Sequence, residues 1–167
     1  DNPGRRYIGI SAQGVRLSSA EIRVAEVLLS AGQLLLDRAG KAADPYMTLV
    51  GYFNATRELA GMARYVADDV QTRVRSPKKG SGFPRRYGAF GQLTTGELTS
   101  RIASADIGRT LDHLALEFDP AHHATTAMQA RIAAEAAGHP LPRPPVAPFD
   151  VVLATSMLQV GVDVQRL

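Results

Sequence analysis

Thr155, Ser156, Gly161 and Asp163 stand close behind the apolar run VVLA at 151–154. Two hydroxyls after a strand can donate to phosphate oxygens. Gly161 permits close backbone approach or a positive φ. Asp163, an acceptor when ionised, suits a ribose hydroxyl or an arginine. The same residues also have a plainer use: Thr155 and Ser156 can cap a short helix, and Asp163 the next turn. A second polar cluster, with Asn54, Thr56 and Arg57, follows the apolar run MTLVGYF at 47–53.

Other chemistries find little support. There is no cysteine, so disulfides, thiolate metal sites and cysteine nucleophiles are excluded. No G-x-x-x-x-G-K-[ST] cradle for phosphates occurs, nor an acidic D-E-x-x cluster for magnesium. His113, His122 and His123 with Asp119 form a thin ligand set, because neighbouring histidines on a helix diverge; a surface cluster is expected. GISAQG at 9–14 is one residue too long for a nucleophile elbow.

The elements that must position these groups follow from periodicity. Residues 7–11 read as a short strand or an extended lead. Ser18 or Ser19 can cap a helix to about Arg38, whose broad apolar band (Ile22, Ala25, Leu28, Leu29, Leu35, Leu36) predicts a well-covered helix. Gly40 and Asp44-Pro45 end it. Residues 47–53 read as a buried parallel strand. Asn54 is the expected N-cap of a helix over 55–74, with Leu59, Met62, Ala63, Val66 and Val70 inward and Asp68-Asp69 on a solvated face. RVRSPKKGSGFPRRYGAFG at 73–91 breaks all periodicity and reads as a loop. Its Arg73, Arg75, Lys78, Lys79, Arg85 and Arg86, interleaved with Phe83 and Tyr87, suit a single strand through phosphate attraction and base stacking. A solvated, mobile insertion is the alternative. A strand ends near 99–101, and Ser104 caps a helix carrying Ile107, Leu111, Leu114 and Phe118. An alanine-rich helix and a stiff proline-rich connector at 139–148 precede the last strand, opened by Asp150.

Strands alternating with helices predict an α/β domain with a mainly parallel sheet covered on both faces. Ligands of such sheets collect outside the carboxyl ends of the strands, where both polar clusters fall. The chain has 167 residues, enough for one domain, and 19 basic against 16 acidic residues. That mild excess permits a polyanionic partner without demanding one. No apolar run is long enough for a bilayer span, so no membrane partner and a cytoplasmic location are expected.

ATSMLQVGVDVQRL resembles motif V of the superfamily 2 helicases, roughly A-T-x-x-x-x-x-G-h-D-h-p. Ala154, Thr155, Gly161, Val162, Asp163 and Val164 match in register, and Gln165 departs where proline is common. LVGYFNATREL resembles motif IV through Phe53, Asn54, Thr56, Arg57 and Glu58. Between them, ELTSRIASADIGRTLDHL offers Ser100, Arg101 and Arg109 where that superfamily has a phosphate-contacting turn and a helix arginine. Within the superfamily, the wording is most similar to the helicase of the DISARM anti-phage defence systems.

The resemblance implies a RecA-like three-layer domain, cut after motif V. Residues 1–45 become a helical lead-in. Residues 46–167 become a partial second RecA-like domain, with a basic insertion near 73–92 and the connector near 139–148. It implies that Asn54, Thr56, Arg57, Ser100, Arg101, Thr155 and Ser156 face a nucleic-acid backbone, and that Gly161 and Asp163 face ATP. No catalytic residue and no metal ligand is expected in this segment. ATP and Mg2+ belong to the full-length protein and are not expected on this segment alone. The P-loop and the arginine-finger motif are missing, and the latter is worth several powers of ten in rate. The implied partners are DNA (RNA as the alternative), the first RecA-like domain of the same protein and other defence-system subunits. A second copy could dock through the cut sheet edge. The competing reading is a non-catalytic nucleic-acid-binding or scaffold domain of RecA-like shape.

Overall fold

The computed structural model describes residues 6–99, 104–142 and 146–155. Three strands, β1 (Leu49–Phe53), β2 (Thr95–Leu98) and β3 (Val151–Thr155), form a parallel sheet in the order β1-β3-β2. Helices α1 (Leu17–Ala39), α2 (Thr56–Tyr65), α3 (Gln71–Arg75), α4 (Ser104–Leu114), α5 (Pro120–His123) and α6 (Thr125–Ala136) complete it. This is an open parallel α/β arrangement, consistent with a small RecA-like domain.

β3 is the central strand, and it alone of the three is buried along its whole length. All five of its residues are buried. Val151 and Leu153 join Ile22, Ala25 and Leu29 of α1 and the stripe of α2 and α3. Val152 and Ala154 point the other way, onto Leu98, Leu114, Leu111 and Phe149. The period of two thus splits one strand between two helical layers. β1 was expected to be buried, yet its residues are half-buried or exposed, as suits an outer strand of the described sheet.

The helix after β1 shows how sequence sets local geometry. Its buried residues are Leu59, Met62, Val66, Val70 and Val74, so after the first step the spacing is a strict four. In an α-helix each such step drifts about 40° around the axis. Residues Val66–Val70 adopt π-helical pairing, which is wound more loosely and holds the valines on one line. The exposed Asp68 and Asp69 lie on the outside of this bulge, as expected.

Several local expectations are corrected. Of the two readings of residues 7–11, the strand falls and the extended lead stands: they pair with no strand, and Tyr7, Ile8 and Ile10 are exposed. α1 starts earlier than either serine allows: Arg16 is its N-cap, without a side-chain cap bond. Leu28 and Leu35 are largely exposed, so the covered stripe is narrower than the sequence suggested. Gly40, at φ 61°, ends α1 and donates its N–H to the Leu36 carbonyl. Asn54 does not cap α2; Ala55 occupies that position. Phe118 lies past the end of α4, in a separate cluster with Leu36, Ala43 and Met47.

Two glycines are dictated by contact. A Cβ on Gly96 of β2 would stand 2.9 Å from the Phe149 ring. One on Gly88 would stand 1.5 Å from the Gln92 carbonyl oxygen. The Phe149 ring also carries the His113 ring, stacked at 3.8 Å between centroids.

Candidate functional site

Parallel register decides which side chains can meet. Phe53 of β1 lies opposite Thr155 of β3, and Leu98 of β2 lies opposite Ala154. The carboxyl tips of all three strands therefore end at one level. Asn54, Thr56 and Arg57 leave the sheet beside Thr155, and Thr99 leaves it on the other side.

The polar groups at this end are poorly satisfied. Thr99 and Thr155 are 1% and 8% exposed. Their hydroxyl oxygens are buried, with no hydrogen-bond partner among the described residues. A buried hydroxyl without a partner costs about 1–3 kcal/mol, so two at adjacent strand tips are unusual. Beside them α2 begins without a side-chain cap, leaving its first N–H groups as donors toward the same edge. Asn54 and Arg57 are exposed and Thr56 is half-buried. Hydroxyls, uncapped amides and a guanidinium make a donor-rich rim that suits an anion.

Of the residues singled out from sequence, Asn54, Thr56, Arg57 and Thr155 share this edge. Ser100, Arg101, Ser156, Gly161 and Asp163 lie outside the described residues. Arg109 is exposed on α4 and paired with Asp106 one turn earlier. Thr99 was missed. The available signal was the repeat of Thr-Ser after a strand segment, in Thr99-Ser100 and again in Thr155-Ser156.

The opposite end of the sheet is built differently. Arg86, expected in a solvated basic loop, is fully buried. Its Nε and Nη2 donate to Asp150 Oδ1 at 3.1 and 2.7 Å, Nη2 also to the Met47 carbonyl at 2.6 Å, and Nη1 to the Leu29 carbonyl at 3.0 Å. Asp150 Oδ2 accepts the Thr94 N–H at 2.8 Å. Met47, Thr94 and Asp150 stand just before β1, β2 and β3. One ion pair thus joins the starts of all three strands to α1. Sequence pattern could not separate this arginine from its exposed neighbours, because Arg85 and Arg86 are chemically alike.

The histidine pair is also corrected. His123 is buried, and its Nδ1 lies 2.9 Å from the Asp119 carbonyl oxygen. Burial pushes its pKa below the ordinary 6.5, against the raising effects of the Asp119 carbonyl and of Asp150. No group of His, Asp and Glu that could hold a metal ion occurs among the described residues. Nor is any described helix long and apolar enough to cross a membrane.

No family model matches the chain. It is 33% identical over 168 residues to DISARM protein DrmA of Bacillus paralicheniformis, an alignment that covers 99% of this chain and 12% of that protein. The chain is therefore related, along nearly its whole length, to one small part of a larger DISARM protein.

Proposed function

We propose that this chain is the C-terminal RecA-like portion of an ATP-dependent DNA helicase or translocase that acts in anti-phage defence. The observation that carries the reading is the donor-bearing rim of exposed Asn54 and Arg57, half-buried Thr56 and the uncapped start of α2, level with the strand tips where Thr99 and Thr155 lie buried. Such donors hold phosphates of a strand without reading its bases. The DISARM relative supports the defence context.

In this reading Asn54, Thr56, Arg57, Thr155 and the neighbouring Ser100, Arg101 and Ser156 hold the backbone. Gly161 and Asp163 turn toward ATP, which with Mg2+ is bound chiefly by a first RecA-like domain. When present, the nucleotide supplies the free energy that opens and closes the cleft between the domains.

The test is nucleic-acid-stimulated ATP hydrolysis by the full-length protein. Thr155→Ala is expected to lower stimulation by DNA at least tenfold. A variant that hydrolyses ATP and responds to DNA like the wild type would sink the assignment. DNA binding with no hydrolysis in the wild type would favour the scaffold reading instead.

A further inference from the structure

The segment between α3 and β2 is not a loose insertion. It leaves the core at Val74 and returns at Arg86, whose N–H donates to the Val74 carbonyl at 2.9 Å. Its ends therefore meet, and the buried Arg86–Asp150 pair holds its base. At its tip the Ser81 N–H donates to the Lys78 carbonyl at 3.0 Å, and Gly80 and Gly82 have φ of 82° and 75°. The excursion is a closed Ω-type loop with a fixed base.

Its charge is one-sided. No acidic residue occurs between Asp69 and Glu97. Arg73, Arg75, Lys78, Lys79 and Arg85 are exposed; Arg73 is held 3.5 Å from Glu26. Aromatic surface lies beside Arg75 and Arg85. Phe90 is 51% exposed, and the Tyr87 hydroxyl receives a bond from Arg85 at 3.4 Å. Arg75, Tyr87, Phe90, Arg131, Ile132 and Glu135 line a cleft of about 200 Å³ between this segment and α6.

Arg86 contacts residues just before the strands, so this surface sits at their amino ends. The Thr155 edge is at the other end of the sheet, roughly 15 Å away along the strands. One short contact cannot serve both.

The geometry points to a second nucleic-acid contact: the cleft between α6 and residues 87–91, which follow the basic Ω-loop, takes an unpaired base of a single strand, while Lys78, Lys79 and Arg85 of the loop hold the flanking phosphates. Cations with no interleaved acid attract any polyanion, but the exposed aromatic faces add an interaction that only a nucleobase can exploit. Glu135 in the cleft disfavours a phosphate there and leaves the phosphates to the rim. This inference rests on the reading that the chain meets nucleic acid, but it uses none of the strand-tip residues.

The test is binding of a fluorescent oligo-dT to the chain, measured by anisotropy over a range of salt. Lys78→Ala with Lys79→Ala is expected to weaken binding about tenfold and to flatten the slope of log K against log salt by about 1.4. Phe90→Ala should weaken oligo-dT at least fivefold, yet leave an abasic oligomer of equal length unaffected. Cross-linking the unaltered chain to bromodeoxyuridine oligomers needs no variant to fold. Adducts at Tyr87 or Phe90 support the inference. Adducts only near Asn54 to Arg57 overturn it and leave the strand-tip reading standing. Adducts only at the loop uphold it and sink the strand-tip site. No oligomer binding sinks both, and binding of polyglutamate in place of oligo-dT would identify an acidic protein partner and overturn the inference.

Discussion

The two ends of the sheet handle their polar groups in opposite ways. At the amino ends, Arg86 and Asp150 are buried together, and Leu29, Met47 and Thr94 supply further backbone partners. At the carboxyl ends, Thr99 and Thr155 are just as deeply placed, yet no described residue bonds to their hydroxyls. A network that closes on itself holds a fold together, whereas donors left open cost stability and are tolerated where a ligand completes them. The difference separates an end whose polar groups close on one another from an end whose polar groups do not, and the proposed contact with nucleic acid is placed at the second.

The largest effect should come from the closed end. Arg86→Met leaves the Asp150 carboxylate buried without its ion-pair partner, only the Thr94 N–H among the described residues still bonded to it, and should cost about 3–5 kcal/mol in urea unfolding. A loss under about 1 kcal/mol would show that the network does not close the fold. Gly96→Ala forces a Cβ against the Phe149 ring and should cost about 1–3 kcal/mol, read from the same transition.

The sharpest probe applies one substitution at both ends. Thr48 donates from its hydroxyl to the Phe149 carbonyl at 2.9 Å, so Thr48→Val should lose about 1 kcal/mol. Thr155→Val removes a hydroxyl without a described partner, so stability should hold or rise while oligonucleotide affinity falls. Equal losses from the two variants would erase the contrast between the ends. Arg57→Ala, on the exposed rim, should change stability by less than about 0.5 kcal/mol and still weaken oligonucleotide binding.

The smallest effect is a pH slope. The folded pKa of His123 is depressed by burial, so the unfolded chain takes up a proton first as pH falls. Stability should be flat above the ordinary value of 6.5 and should decline below it until the folded pKa is passed. His123→Phe should remove that slope. An unchanged slope in the variant would assign it to another group.

Much of this could be read from the residues. The uninterrupted apolar VVLA before Thr155 marks a strand buried on both faces, and the stripe from Leu59 to Val74 marks a covered helix. Their alternation forecast a parallel sheet, and hence that Asn54, Thr56, Arg57 and Thr155 would gather outside its carboxyl ends. Capping was misjudged at Ser18, Ser19 and Asn54, because a side-chain cap is worth only about 1 kcal/mol and packing can shift a helix start past it. The exposure of Leu28 and Leu35 was hidden for a related reason: a helix turns a wide apolar band toward whatever neighbours exist, and among the described residues those that bury α1 lie along the side of Ile22, Ala25, Leu29 and Leu36.

The sequence alone determined the order of elements, the burial of β3 and the class of fold, because those depend on local periodicity. Only the tertiary structure decided that Arg86 differs from Arg85, that His123 is inside, and that the basic loop and the threonine tips stand at opposite ends of one sheet. Those facts depend on contacts between residues up to about a hundred positions apart, as between Thr48 and Phe149, and no local pattern encodes which distant partner a charged side chain will find.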